Sequence, residues 1–268
     1  MTSIGANLQA VRARIERAAR LAGRVPEDIH LIAVSKTWPA ECVAEAHACG
    51  QRAFGENQVQ EGVAKILRLE QLLLEGHVNI GHHECKRTDA DVPGPSSGVA
   101  SPEGPLLRPP EWHFIGPVQS NKTRPISEHF QWVHSVERDR IAVRLNDARP
   151  AHLPPLNVCI QVNVSGEASK HGVEPGKELE LDRVITTLPR LRLRGLMAIP
   201  EPTADGALQR RRFSLLREAR ERLAAAGHAL DTLSMGMSDD FEAAIEEGAT
   251  MVRVGTAIFG PRKAANGQ

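Results

Sequence analysis

The chain has 268 residues, with 33 Lys and Arg against 33 Asp and Glu, so its formal net charge is zero with histidine neutral. That balance removes the electrostatic case for nucleic acid or an anionic membrane as the main partner. Its length suits one or two domains, 41% apolar residues supply a large core, and no apolar run approaches the roughly 18 residues of a membrane span.

At the amino end, Ile4, Leu8, Val11 and Ile15 recur at helical spacing. Arg12, Arg14, Arg17 and Arg20 raise the alternative of a mitochondrial transit peptide. Glu16 interrupts that basic face, so a packed first helix of the domain is expected. Strand patterns follow at 30–36 (HLIAVSK), 52–57 (RAFGEN), 112–116 (WHFIG), 131–136 (QWVHSV), 157–164 (NVCIQVNV), 191–199 (LRLRGLMAI), 232–238 (TLSMGMS) and 251–259 (MVRVGTAIF). Helical stretches such as PAECVAEAHACG and DGALQRRRFSLLREARERLAAAG lie between them, with Gly50 and Gly227 where helix C-caps belong. Strands separated by helices form parallel βαβ units. Eight in one series predict an α/β fold, a single closed (β/α)8 TIM-type barrel with an additional N-terminal helix. No glycine-rich dinucleotide fingerprint follows the first strand, which disfavours an open doubly wound sheet.

Residues 75–110 break the rhythm. They are rich in Pro, Gly and Ser and show no sustained period, so they read as an exposed insertion in one domain spanning 1–268. His77, His82, His83 and Cys85 lie there, but His-His-x-Cys matches no paired ligand spacing and no metal is expected. Cys42, Cys49, Cys85 and Cys159 lack disulfide-like spacing, which favours a reducing compartment and a cytoplasmic protein.

In the first strand, LIAVSKTWP closes an apolar run on a lysine. Side chains alternate along a strand, so Ile32, Val34 and Lys36 share one face. If that face is the barrel interior, Lys36 lies at the carboxyl mouth, where barrel enzymes place their sites. Snorkelling to solvent is the plainer reading and this stretch alone does not exclude it. A partly desolvated lysine becomes a nucleophile able to form a Schiff base. In the last strand Met251, Arg253 and Gly255 share a face, and a buried guanidinium requires an acceptor. Gly255-Thr256 offers backbone N–H groups and a hydroxyl. Before it, LSMGMSDDFEAAIEEG turns from strand to helix through Ser234, Gly236 and Ser238, with Asp239 and Glu242 spaced as a capping box. Adjacent Gly- and Ser-bearing turns after strands seven and eight suit a barrel phosphate site. A reactive lysine, a phosphate cradle and a buried arginine together describe a holder for pyridoxal 5′-phosphate (PLP).

The chain resembles the PLP-binding homeostasis proteins, whose fold is that of the alanine racemase amino-terminal barrel. The resemblance is carried by IAVSKTWP, FGENQVQEGVAKI, EWHFIGPVQSNKTR, IQVNVSGEASKHGV, RGLMAIP and LSMGMSDDFEAAIEEGATMVRVGTAIFGPR. It implies that Lys36 forms the Schiff base and that Arg253 faces the pyridine nitrogen. It also implies that Ser234, Met235, Gly236, Gly255 and Thr256 hold the phosphate, and that Asn57 lies beside the cofactor. His113 and Met197 would line the barrel nearby. Gln58 departs from the family, which commonly has an aromatic residue after GEN, and the 75–110 insertion is longer than the usual connection.

The implied function is reversible PLP binding in vitamin B6 homeostasis, with delivery to PLP-dependent apoenzymes and no steady turnover. The alternative is a PLP-dependent amino-acid racemase, which on the alanine racemase route needs a tyrosine from a second, β-rich domain. This chain contains no tyrosine and stops at Gln268, shortly after the eighth strand, which also favours a monomer. His113 or His171 would be the substitute bases. A Schiff-base aldolase acting on a sugar phosphate would use a similar lysine and phosphate site without cofactor.

Overall fold

The computed structural model describes residues 3–75, 109–166, 171–228 and 230–261. Among them, eight parallel strands close into one barrel in sequence order: β1 His30–Val34, β2 Ala53–Glu56, β3 Glu111–Phe114, β4 Trp132–Val136, β5 Leu156–Gln161, β6 Leu191–Met197, β7 Thr232–Ser234 and β8 Met251–Val254. The ring closes where β1 pairs with β8, Ile32 standing opposite Arg253. Helices α2 Ala40–Ala48, α3 Val59–Leu74, α4 Thr123–His129, α5 Asp139–Ala148, α6 Glu178–Ile185, α7 Gly206–Ala225 and α8 Phe241–Glu246 follow the strands, and α9 Thr256–Phe259 follows β8.

The amino-terminal helix α1, Ile4–Leu21, buries Leu8, Val11 and Ile15, and the Ser3 hydroxyl accepts from the Ala6 N–H at its start. Arg14 pairs with Glu242 at 2.8 Å and lies over the Phe241 ring at 4.4 Å. Part of the basic face is thus packed against α8. At the other helix ends, Gly50 (φ 83°) and Gly227 (φ 94°) adopt the left-handed conformation expected of their C-cap roles. Asp205 caps α7 by accepting from the N–H groups of Ala207 and Leu208.

Strand alternation sorts the core into two layers. Phe54, Trp112, Phe114, Val133, Val158, Leu196, Leu233, Val252 and Val254 point out and pack with the helices. Ile32, Trp132, Cys159, Met197 and Met251 form a separate cluster inside the ring. Each fully buried large apolar side chain contributes about 1.5–3 kcal/mol, so the two layers hold the strand ends in place.

Two expectations need correction, and a third falls outside the described residues. Each of the eight strands is present, yet most stop short of the apolar pattern. The sharpest case is 251–259, where pairing ends at Val254 and Thr256–Phe259 is helical. The Asp239–Glu242 capping box is also absent. Helix α8 starts at Phe241, the Asp240 carboxylate accepts from the Met237 N–H at 2.6 Å, and Glu242 is committed to Arg14. Finally, 76–108 of the 75–110 insertion, with His77, His82, His83 and Cys85, lie outside the described residues.

Candidate functional site at the carboxyl mouth of the barrel

Lys36 stands just past the end of β1, half-buried. Its strand face continues through Val34 to Ile32, which belongs to the interior cluster. The turn that carries it is held from behind by a buried polar cluster. The Ser35 hydroxyl donates to Glu56 Oε1 at 2.6 Å, and Lys65 Nζ donates to the same oxygen at 2.6 Å and to the Ser35 carbonyl at 2.7 Å. Glu61 accepts from Lys65 at 3.2 Å and from the Thr37 N–H. Both chain neighbours of Lys36 are therefore tied down. Thr37 has φ 69°, an unusual conformation for a β-branched residue, and its N–H bond to Glu61 supports it. Burial pushes the Glu56 carboxyl up against the opposing pull of Lys65 and Ser35.

Glu56 also ends β2, so the same cluster places Asn57, the next residue, at the mouth. The connection after β3 passes close by: a Cβ on Gly116 would lie 2.1 Å from the Asn57 carbonyl oxygen, so only glycine fits there. Gln58 is exposed and precedes α3 without a side-chain cap.

On the opposite side, Arg253 is buried inside the ring, on the strand that pairs with β1. Its Nη1 donates to Ser234 Oγ at 2.6 Å and its Nη2 to the Ala198 carbonyl at 2.8 Å. Burial lowers its pKa to about 10, while Asp240 and Cys159 pull the other way. The guanidinium is thus a cation at neutral pH whose two identified acceptors are both neutral oxygens. A planar, anionic or electron-rich ligand above it would add to the attraction that Asp240 supplies.

The turns after β7 and β8 supply donors. Gly236 has φ 93°, and a Cβ there would come within 2.7 Å of Ala244 and 2.9 Å of the Phe241 backbone. A Cβ on Gly255 would touch the Val34 carbonyl at 3.0 Å. Bare backbone is required at Gly236, and a side chain at Gly255 would be tight. In α9 the first N–H groups, those of Thr256 and Ala257, have no intrahelical acceptor by geometry, and Thr256 is exposed. These turns could cradle a phosphate.

Not every anticipated residue fits the role assigned to it. Ser234 is buried, and its hydroxyl lies between Arg253 and His134 (2.8 Å), which occupies it inside the ring. The Met235 N–H donates to the Met251 carbonyl and its side chain packs in the outer core. Gly236 and Gly255–Thr256 stand in the turns just beyond β7 and β8. Met197 belongs to the interior cluster. His113 is only 1% exposed, and both ring nitrogens are engaged, by His134 at 2.9 Å and Glu111 at 3.3 Å. His171 is exposed and contacts Glu137 at 3.2 Å. Three features escaped sequence reasoning: the Glu56–Lys65 cluster, His134 and Glu111. Histidine inside the apolar VHSV strand was the one available signal.

The fold and this geometry define a parallel β/α barrel whose carboxyl end carries Lys36 just past β1 and a buried arginine on the neighbouring strand. The chain belongs to the alanine racemase N-terminal domain family, whose model matches residues 6–263. It is 53% identical over 262 residues to the pyridoxal phosphate homeostasis protein of Pseudomonas aeruginosa, covering 98% of this chain and 97% of that one. With the protein of the same name from Escherichia coli K12 it shares 48% identity over 265 residues, 98% of each chain. Among solved structures, PipY of Synechococcus elongatus with PLP bound superposes with a TM-score of 0.68 at 34% identity, over 92% of this chain and 99% of that one. Alanine racemase from Corynebacterium glutamicum shares the fold alone, with a TM-score of 0.59 at 14% identity over 63% of its length.

Proposed function

We propose that this chain binds PLP at the carboxyl mouth of its barrel and serves PLP homeostasis, holding the cofactor through Lys36 and releasing it to PLP-dependent apoenzymes. The observation that carries the reading is the pairing of β1 with β8. It sets the Lys36 turn beside the strand bearing Arg253, with the Gly236 and Gly255–Thr256 turns adjoining. The names of the relatives and the PLP in PipY support the same cofactor. When bound, PLP supplies an aldehyde that condenses with an amine and a ring that draws electrons from the attached group.

The residues divide the work. Lys36 provides the amine, and Asn57 flanks it. Gly236, Gly255 and Thr256 offer backbone donors and a hydroxyl to the phosphate, with Ser234 and Met235 shaping the turn from behind. Arg253 faces the ring nitrogen as a donor. A guanidinium does not readily surrender a proton, so that nitrogen stays unprotonated and the ring stabilises a carbanion weakly. Holding is thereby favoured over turnover. The racemase reading gains no support from the histidines, since His113 is enclosed with both nitrogens engaged and His171 sits exposed against Glu137. A monomer working in a reducing, cytoplasmic setting completes the proposal.

Titration of the purified protein with PLP tests it. Wild type is expected to develop a visible absorbance band that borohydride bleaches, and Lys36→Ala none, with no steady racemisation across a panel of amino acids. Sustained racemisation abolished by Lys36→Ala would replace the homeostasis reading with a catalytic one.

A further inference from the structure

A continuous line of hydrogen bonds crosses the barrel interior beneath Arg253. Arg253 Nη1 meets Ser234 Oγ at 2.6 Å, Ser234 Oγ meets His134 Nδ1 at 2.8 Å, His134 Nε2 meets His113 Nδ1 at 2.9 Å, and His113 Nε2 meets Glu111 Oε2 at 3.3 Å. Glu111 opens β3 at the amino-terminal mouth with 47% of its side chain exposed, whereas Ser234, His134 and His113 are fully enclosed. The chain therefore joins the two ends of the barrel.

The chemistry of the groups fixes its direction. Burial lowers the pKa of both histidines, His134 well below the usual value, so each ring is neutral with one N–H and one bare nitrogen. The Glu111 carboxylate only accepts, so His113 must carry its proton on Nε2 and present a bare Nδ1. His134 must then donate from Nε2 and accept at Nδ1. Ser234 must donate to His134, which turns a lone pair to Arg253. Every donor points the same way, from the guanidinium to the carboxylate, and aligned bonds polarise one another. The other charged or titratable neighbours stand at the flanks: His30 beside Glu111, Arg194 over the Trp132 ring, and Asp240 and Cys159 around Arg253.

We propose that Glu111, His113, His134 and Ser234 form a one-way hydrogen-bond wire that fixes the donor orientation of Arg253 from the opposite mouth of the barrel. The four are positioning residues, acting through Arg253. The wire stands on the chain's own geometry, and it rests on the PLP reading only for what Arg253 faces.

Trp132 makes the wire testable. Its indole N–H, a donor only, bonds Glu111 Oε1 at 2.8 Å, leaving Oε2 for His113. In Glu111→Gln the indole claims the amide oxygen, so the amide NH2 faces His113 Nε2. That nitrogen must become the acceptor, and the exchange passes along the line, putting the proton on Nδ1 of His113 and then of His134, so that Ser234 Oγ accepts from His134 and Arg253 together and its own proton loses its acceptor. Nitrogen-15 NMR of the cofactor-free protein reads these tautomers directly. Wild type is expected to show Nε2–H on both rings, Glu111→Gln is expected to show Nδ1–H on both, and exchange of the Arg253 guanidinium protons with water is expected to quicken in the variant. Inversion at His113 that stops short of His134, or unchanged Arg253 exchange, overturns the wire. So does either ring found cationic or Nδ1-protonated in wild type, a result independent of whether the variant folds. In the PLP-loaded protein, Glu111→Gln is expected to shift the absorbance of the bound cofactor. Inverted tautomers with faster Arg253 exchange and an unshifted band would uphold the wire and count against placing Arg253 on the ring.

Discussion

At the scale of single residues, the site depends on charges kept where water cannot compensate them. Lys65 and Glu56 are both buried and 2.6 Å apart, immediately behind the Lys36 turn. Removing one partner of such a pair leaves the other uncompensated, at about 3–5 kcal/mol. Lys65→Met is expected to lower stability on that scale in denaturant melts and to weaken PLP uptake. Burial already holds the Glu56 carboxyl up, and without Lys65 the folded chain keeps its proton to still higher pH. The folded state then binds more protons than the unfolded one above the ordinary carboxylate pKa, so stability falls as pH rises. The Lys65→Met deficit should therefore deepen from acid to neutral pH, and Glu56→Gln in the same chain should flatten it. A deficit independent of pH would show that packing, not charge, is what Lys65 contributes. Lys36 and Arg253 were legible as candidates because each interrupts an apolar strand. It did not reach Lys65, whose place on α3 looks solvated until the fold brings Ser35 and Glu56 against it, 30 and nine residues away.

At the scale of elements, the proposed anion cradle consists of the turns after β7 and β8. Gly236 combines φ 93° with a position where a Cβ would press on Ala244 and the Phe241 backbone. Gly236→Ala is expected to cost more than about 1 kcal/mol in stability and to weaken inorganic phosphate and PLP together in competitive binding. Loss of PLP with phosphate binding intact would move the cradle elsewhere. The existence and order of all eight strands were legible because each carries an apolar run bounded by turn residues. Their ends were not. MVRVGTAIF keeps a strand-like composition to Phe259, yet Gly255 leaves the ladder and Ile258 and Phe259 donate back to its carbonyl as helix. Composition does not encode where a ladder loses its partner. The Ser234 hydroxyl was equally illegible, since the partner that occupies it, His134, lies 100 residues away.

At the scale of the whole molecule, the barrel interior is an enclosed column with polar groups threaded through an apolar cluster. Cys159, 0% exposed, sits in that column, and burial pushes its thiol up to about 12. As the pH rises through 9 to 10, the folded chain retains a proton that the unfolded chain loses, so stability falls, by at most about 1.4 kcal/mol per pH unit. With no tyrosine in the sequence, phenol titration does not overlap this limb. Cys159→Ala is expected to remove this downward contribution from urea melts across that interval. A slope unchanged by the substitution would mean that the interior admits water at this level. The same column joins the two mouths, so the carboxyl-end site and the amino-end carboxylate of Glu111 belong to one electrostatic unit.

The amine of Lys36 is the group proposed to hold PLP. Peptide mass spectrometry after borohydride reduction of the PLP-loaded protein tests this. The pyridoxyl mass is expected on the peptide containing Lys36, at one equivalent per chain. An adduct on Lys65 or Lys122, or one spread over several lysines, would contradict it.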